Sequence, residues 1–432
     1  LALAGALTAC RNAPASRNRA VAAPASAAPA ARATEPSTLA LADVKGSGPT
    51  LRYLAGLKER ARSHPESDEA WILLGRAWVR LARETSDPGF YLHAEACTDV
   101  LLARSPANVA ALNLRGLVLL NQHEFSRAKA AAQAILAQDP LDATAWGTLS
   151  DAALELGEFE TAVNAVGHML EQKPGLPAYA RTAHLRWLAG DERSALEAYR
   201  LAIDAGLDPS DPEPLAWVLV QTAQVFFQRG DYRGADAGFQ QALEVRRGYP
   251  PALVGRARAL LARADPAGAT ALLRQAYAES PLVETGSLLV QALTLAGDFG
   301  AAERAYALAE REGLRGDRRG LSVMDSTLGR RPARALELAE AERAVRGDIY
   351  TEDALAWALY RNGRFELARA SIERARSFGT RDARLLFHHG AILIALGRAA
   401  EGRALVKKAL AQSPKFEPQG AREAERLLRG TT

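Results

Sequence analysis

Leu112, Gly116, Ala128 and Pro140 are followed 34 residues later by Trp146, Ser150, Ala162 and Pro174, so residues of one kind recur at one offset. No other feature constrains the fold as strongly. A period of this length is one helix–turn–helix unit, which cannot bury its apolar face alone and must stack on copies of itself. The small residue where the two helices of a unit cross extends the pattern: Ala94, Ala128, Ala162, Ala195, Ala235, Ala269, Ala302, Ala335, Ala368 and Gly402. The spacings are 34, 34, 33, 40, 34, 33, 33, 33 and 34, which gives about ten units. A helix near 51–63 precedes them and one near 419–429 closes them.

Other features recur in phase. Gly157, Gly190, Gly230, Gly297, Gly363 and Gly397 lie five positions before the small residue, where a turn needs a residue tolerant of positive φ. Phe125, Phe159, Tyr232, Phe299 and Phe365 lie three before it, one helical turn away and so expected on the same buried face. Pro106, Pro140, Pro174, Pro281 and Pro414 close units. Leu112, Trp146, Tyr179, Leu219, Leu253 and Leu386, 16 before it, are expected to fill the space between neighbouring helices.

Composition agrees. Hydrophobic residues make up 48% of the 432 but aromatics only 6%, which suits closely packed helices better than sheets. The phased copies resemble the tetratricopeptide repeat family over nearly all of residues 50–430. That resemblance implies an all-α, right-handed superhelical solenoid of about ten helix–turn–helix units that binds other proteins.

Departures from the period mark irregular places. About seven extra residues around 85–93 lengthen the first unit's turn, and residues 206–214 add a loop with three prolines. In the eighth unit Gly313, Gly316, Gly320 and Gly329 are expected to interrupt the first helix and make a bend or soft joint.

Residues 1–10 end in Leu7-Thr8-Ala9-Cys10 after a small apolar run and resemble the end of a bacterial lipoprotein signal peptide, with Cys10 as the lipidation site. No methionine or basic leader precedes the run, so the sequence is expected to begin inside such a signal. Residues 11–49, rich in Ala, Pro and Ser without period, are expected to be a disordered tether. No later run reaches the roughly 20 apolar residues of a membrane-spanning helix, so lipid on Cys10 is the expected membrane attachment. The expected location is the extracytoplasmic side of a bacterial membrane; it becomes cytoplasmic if the start is not a signal. Cys97 is then left without a disulfide partner.

Chemistry finds little support. The seven histidines form no His-Glu-x-x-His or Cys/His ligand spacing, and adjacent His388 and His389 point about 100° apart on a helix. No phosphate-cradling Gly-rich loop or nucleophile elbow occurs, so neither catalysis, metal nor cofactor is expected. The charge of +4 comes from 54 basic against 50 acidic side chains mixed along the chain, which argues against a nucleic-acid face. Arg229-Gly230-Asp231, Arg315-Gly316-Asp317 and Arg346-Gly347-Asp348 spell an adhesion tripeptide, but each includes a turn or connection glycine.

In the family resembled, first helices line a concave groove through positions five, nine and twelve of each unit. The ninth positions are Arg76, Leu117, Asp151, His184, Gln224, Arg258, Gln291, Trp357 and Ala391; the fifth include Asn113, Ser287 and Asp353; the twelfth include Trp187, Phe227 and Tyr360. The Lys/Asn set with which some members clamp a carboxylate is absent. The expected binding surface for a protein or peptide is Arg76, Asn113, Asp151, His184, Gln224, Arg258, Gln291, Asp353 and Trp357. An envelope structural or assembly factor is the alternative. A solute or glycan binder stacking on Trp187, Trp217 and Trp357 is another.

Overall fold

The computed structural model describes residues 35–46, 48–85, 87–206 and 211–430. Cys10, residues 1–10 and residues 11–34 of the expected tether lie outside the described residues.

Ten helix pairs follow α1 (Pro36–Ala40) and α2 (Pro49–Ser63). Units 1 to 3 are α3 (Asp68–Thr85) with α4 (Phe90–Arg104), α5 (Val109–Asn121) with α6 (Phe125–Leu136), and α7 (Ala143–Glu155) with α8 (Phe159–Gln172). Units 4 to 6 are α9 (Leu176–Leu188) with α10 (Glu192–Asp204), α11 (Glu213–Gln228) with α12 (Tyr232–Val245), and α13 (Pro250–Ala262) with α14 (Pro266–Glu279). Units 7 and 8 are α15 (Val283–Leu295) with α16 (Phe299–Arg315) and α17 (Arg318–Leu328) with α18 (Pro332–Arg343). Units 9 and 10 are α19 (Ile349–Arg361) with α20 (Phe365–Ala375) and α21 (Ala383–Ala395) with α22 (Ala399–Gln412); α23 (Pro418–Arg429) follows. The architecture is the expected all-α solenoid.

Its regularity has the expected causes. Nine in-phase alanines, from Ala94 to Ala368, are buried where helices cross. In unit 10 the helices approach so closely that a Cβ on Gly402 would lie 2.4 Å from Gly390 O, so glycine stands there. The turn glycines, such as Gly157 (φ 82°) and Gly397 (φ 81°), are left-handed, and His123 (φ 61°) and Ala264 (φ 63°) take that conformation where units 2 and 6 lack glycine. Asp191, Asp231 and Asp298 follow turn glycines and cap α10, α12 and α16, each accepting from a backbone N–H three residues on.

Four expectations need correction. Residues 36–44 are not tether: Ala40 is buried, its carbonyl accepts from Trp78 Nε1 at 2.9 Å, and Leu39 O lies 2.7 Å from His93 Nδ1. Much of the extra length in unit 1 extends α3 to 18 residues. The eighth unit's glycines lie at helix ends or inside α16, leaving α17 unbroken, and Tyr306, Asp325 and Arg334 tie α16, α17 and α18 together through buried Asp325. Trp146 is only half-buried, stacking on His168 at 4.3 Å.

The superhelix also returns on itself. The connection between units 8 and 9 meets unit 3, where Gly347 N–H donates to Glu155 O at 2.9 Å. Phe378, between units 9 and 10, stacks on Phe159 of unit 3 at 4.4 Å. Ser413, after unit 10, donates to Phe227 O of unit 5 at 3.2 Å. These contacts cover the in-phase aromatics of the early units. Phe299 of unit 7 is 66% exposed, against the expectation of a buried face.

Candidate functional site

First helices supply most of the wall of a central cavity of about 1480 Å³. Their inner faces bring Leu117, Asp151, His184, Gln224, Arg258 and Gln291 to it, as expected from position nine. The connection before α13, the N-terminal ends of α15 and α17, and the segment Lys415 to Pro418 complete it.

Four of the expected residues are elsewhere. Arg76 is exposed but off the cavity wall. Asn113 donates to Asp142 Oδ2 at 2.9 Å and so braces the residue that caps α7. Trp357 is 2% exposed and Asp353 is fully enclosed. For Trp357 the cause is α23, which lies over the inner positions of the last units: Trp357, Ala391, Phe387, Phe416, Ala421 and Ala424 form one apolar cluster. Arg361 donates to Glu423 at 2.7 Å, and the Gln419 N–H donates to Gln291 Oε1 at 3.1 Å. Asp353 instead meets His388 Nδ1 at 2.7 Å and Arg384 Nε at 3.3 Å inside the fold. Of the twelfth positions, Phe227 is buried, Trp187 nearly so, and Tyr360 stacks flat on Trp357 at 4.6 Å, so packing explains most of their surface.

Both signs of charge share the wall. Arg181 donates to both carboxylate oxygens of Asp151, at 2.8 and 2.6 Å. Burial alone would lower the Arg181 pKa, but Asp151 outweighs it and holds the cation. Arg258 pairs with Glu284, and Arg319 with Asp348 at 3.1 Å. Burial pushes the His184 pKa down against the opposing fields of Asp151 and Asp348, so the ring is neutral near pH 7. Among the described residues its Nδ1 has no hydrogen-bond partner, and neither has Nε2 of Gln291, although both atoms are buried. A ligand that supplies those missing hydrogen bonds relieves two desolvated groups.

Several wall residues were not among those expected. Arg181 and Gln221 lie three before His184 and Gln224, on the same helical face, so spacing alone could have found them. Trp217, expected only as a stacking platform, reaches the wall from the same face of α11, whereas Tyr350, Arg384 and the segment Lys415 to Pro418 reach it because the superhelix closes. Among the described residues, no group of His, Cys, Asp and Glu is placed to hold a metal ion. No described helix is long and apolar enough to cross a membrane.

A family model for the tetratricopeptide repeat matches residues 113–177, 220–283 and 354–415. The chain is 39% identical over 84 residues to Chaperone protein YscY of Yersinia enterocolitica, a match spanning 19% of this chain and 74% of that protein. It is similar to the crystal structure of PilW, a type IV pilus biogenesis factor (15% identity, TM-score 0.41, 51% of this chain and 98% of that one). It is also similar to the human IFIT1 dimer with PPP-AAAA (14% identity, TM-score 0.48, 84% and 89%). With the phased alanines, turn glycines and ten stacked helix pairs, the sequence match makes this chain a member of the tetratricopeptide repeat family.

Proposed function

We propose that this chain is a protein-interaction scaffold whose central cavity holds a segment of a partner polypeptide, and that lipid on Cys10 anchors it on the extracytoplasmic side of a bacterial membrane. The cavity carries the reading. At about 1480 Å³ it exceeds the roughly 300–1,000 Å³ of small-molecule pockets, and both charge signs, amides and aromatic surface share its wall. Such a lining suits a polypeptide, whose backbone takes hydrogen bonds of either polarity while its side chains vary. A similar protein named as a chaperone agrees with a protein client. Of the three tryptophans that a glycan platform would use, Trp187 and Trp217 reach the wall while Trp357 is sealed away, which weakens that alternative.

The anchor rests on Leu7-Thr8-Ala9-Cys10 and the Ala/Pro-rich stretch behind it. The mass of the mature N-terminus tests it: diacylglyceryl-Cys10 supports the anchor, and an unprocessed start refutes it. For the cavity, Gln224→Trp with Ser287→Arg fills the space in the full chain. Loss of the partners recovered from crosslinked cells is expected at unchanged helical content, and full recovery rules the cavity out.

A further inference from the structure

A solenoid ordinarily touches only its neighbours. Here a seam joins units 3 to 5 to the last connections, and it is tighter than incidental contact. A Cβ on Gly157 would lie 2.6 Å from Gly347 O, and one on Gly190 would lie 2.4 Å from Gly379 O. The equivalent turn glycines Gly297, Gly363 and Gly397 have similar φ and nothing within 4 Å. Two seam glycines are therefore required twice, for their conformation and for the approach of another backbone.

Side-chain and backbone hydrogen bonds run along the seam. Arg346 donates to Glu155 at 3.0 Å; Gln228 donates to Asp382 Oδ2 at 3.1 Å and accepts from Ala383 N–H at 3.5 Å. Gln412 Nε2 donates to Gln228 O at 3.2 Å, and the Lys415 N–H donates to Tyr232 Oη at 2.7 Å. Its apolar contacts are the Phe159–Phe378 stack and the N-terminal end of α19, where Ile349 and Tyr350 join the cluster of Trp187, Leu188 and Tyr199. A junction carried by connecting segments, side-chain hydrogen bonds and a few apolar side chains is the kind that separates while the elements on either side stay folded.

The same line is part of the cavity wall: Glu155, Phe227, Gln228, Asp382 and Lys415 belong to both. We propose that the seam is a latch, and that its parting opens the cavity along one side so that an internal stretch of a partner chain enters laterally. A partner with folded domains at both ends of the bound stretch cannot thread through a closed superhelix. The inference rests on the cavity being the binding site.

The test needs no partner. In the full chain with Cys10→Ser, Ser287→Cys places a thiol on the cavity wall, while Cys97 is buried. The probe is a polyethylene-glycol maleimide, whose bulk slows its entry to the cavity while the seam is shut. Gly157→Val with Gly190→Val wedges the seam, and modification is expected to run about tenfold faster than in the parent. Gly297→Val with Gly397→Val imposes the same turn strain without a clash and is expected to leave the rate unchanged. Phe378→Ala, which removes the stack without backbone strain, is expected to accelerate modification as the wedge does. The latch is overturned if neither the wedge nor Phe378→Ala accelerates labelling, or if the control pair accelerates it equally. Labelling reads the seam alone, and the cavity-filling variant reads partner binding, so the two claims fail separately.

Discussion

Arg346, on the connection between units 8 and 9, donates to Glu155 of unit 3 across 191 positions of sequence. The cation is almost wholly buried and also holds Glu342 at 2.8 Å, with Asp348 3.7 Å away. Burial raises the Glu155 pKa and Asp348 adds to the rise, while Arg346 and, after it, Arg319 pull against it. Removing it leaves several acids facing one another. Arg346→Met is expected to destabilise the chain by about 2–3 kcal/mol in urea unfolding, below the cost of splitting a fully buried pair because Glu155 is partly solvated.

Ala264 adopts the left-handed turn conformation that glycine takes in neighbouring units, at φ 63° on an exposed turn. The strain of a Cβ there is about 1–2 kcal/mol, partly offset by the greater unfolded-state freedom of glycine. Ala264→Gly is expected to stabilise by about 0.5–1 kcal/mol, measured as a higher urea midpoint at unchanged slope.

Phe416 packs on Phe387 at 5.6 Å and holds α23 over the last units. Phe416→Ala is expected to destabilise by about 3 kcal/mol. In a repeat array the loss is local first, so hydrogen exchange is expected to quicken in α21 and α23 while α5 to α8 stay protected.

The pH dependence has a definite sign. Burial, reinforced by Arg376, lowers the His389 pKa from 6.5 to about 4. The folded state therefore binds this proton less readily than the unfolded chain, and the stability present above pH 6.5 is lost as pH falls toward 4. An upper bound for this group is about 3 kcal/mol. His184 and His123 are lowered too and act in the same direction, whereas Glu155 and Asp325 are raised and oppose them. His389→Gln is expected to narrow the gap between urea stabilities at about pH 7 and about pH 4.5.

The repeat was legible because its causes are local. An alanine at a helix crossing, a glycine in a left-handed turn and an aspartate behind it each satisfy a need within one unit, and each recurs at one offset. Position nine led to Asp151, His184, Gln224, Arg258 and Gln291 for the same reason. Trp357 obeys that rule too, but the seat of α23 over it is not a property of any repeat. Closure was equally hidden, since it depends on a small rotation per unit summed over several units. Phe159 and Phe299 are indistinguishable in sequence phase, yet only Phe159 meets a returning connection.

The central claim is that a partner chain lies in the cavity. A photo-crosslinking amino acid at Gln224, on the wall, and another at Glu197, exposed on α10 away from it, test that claim most directly in cells. Adducts from position 224 and none from position 197 are expected; adducts from position 197 alone would contradict the account.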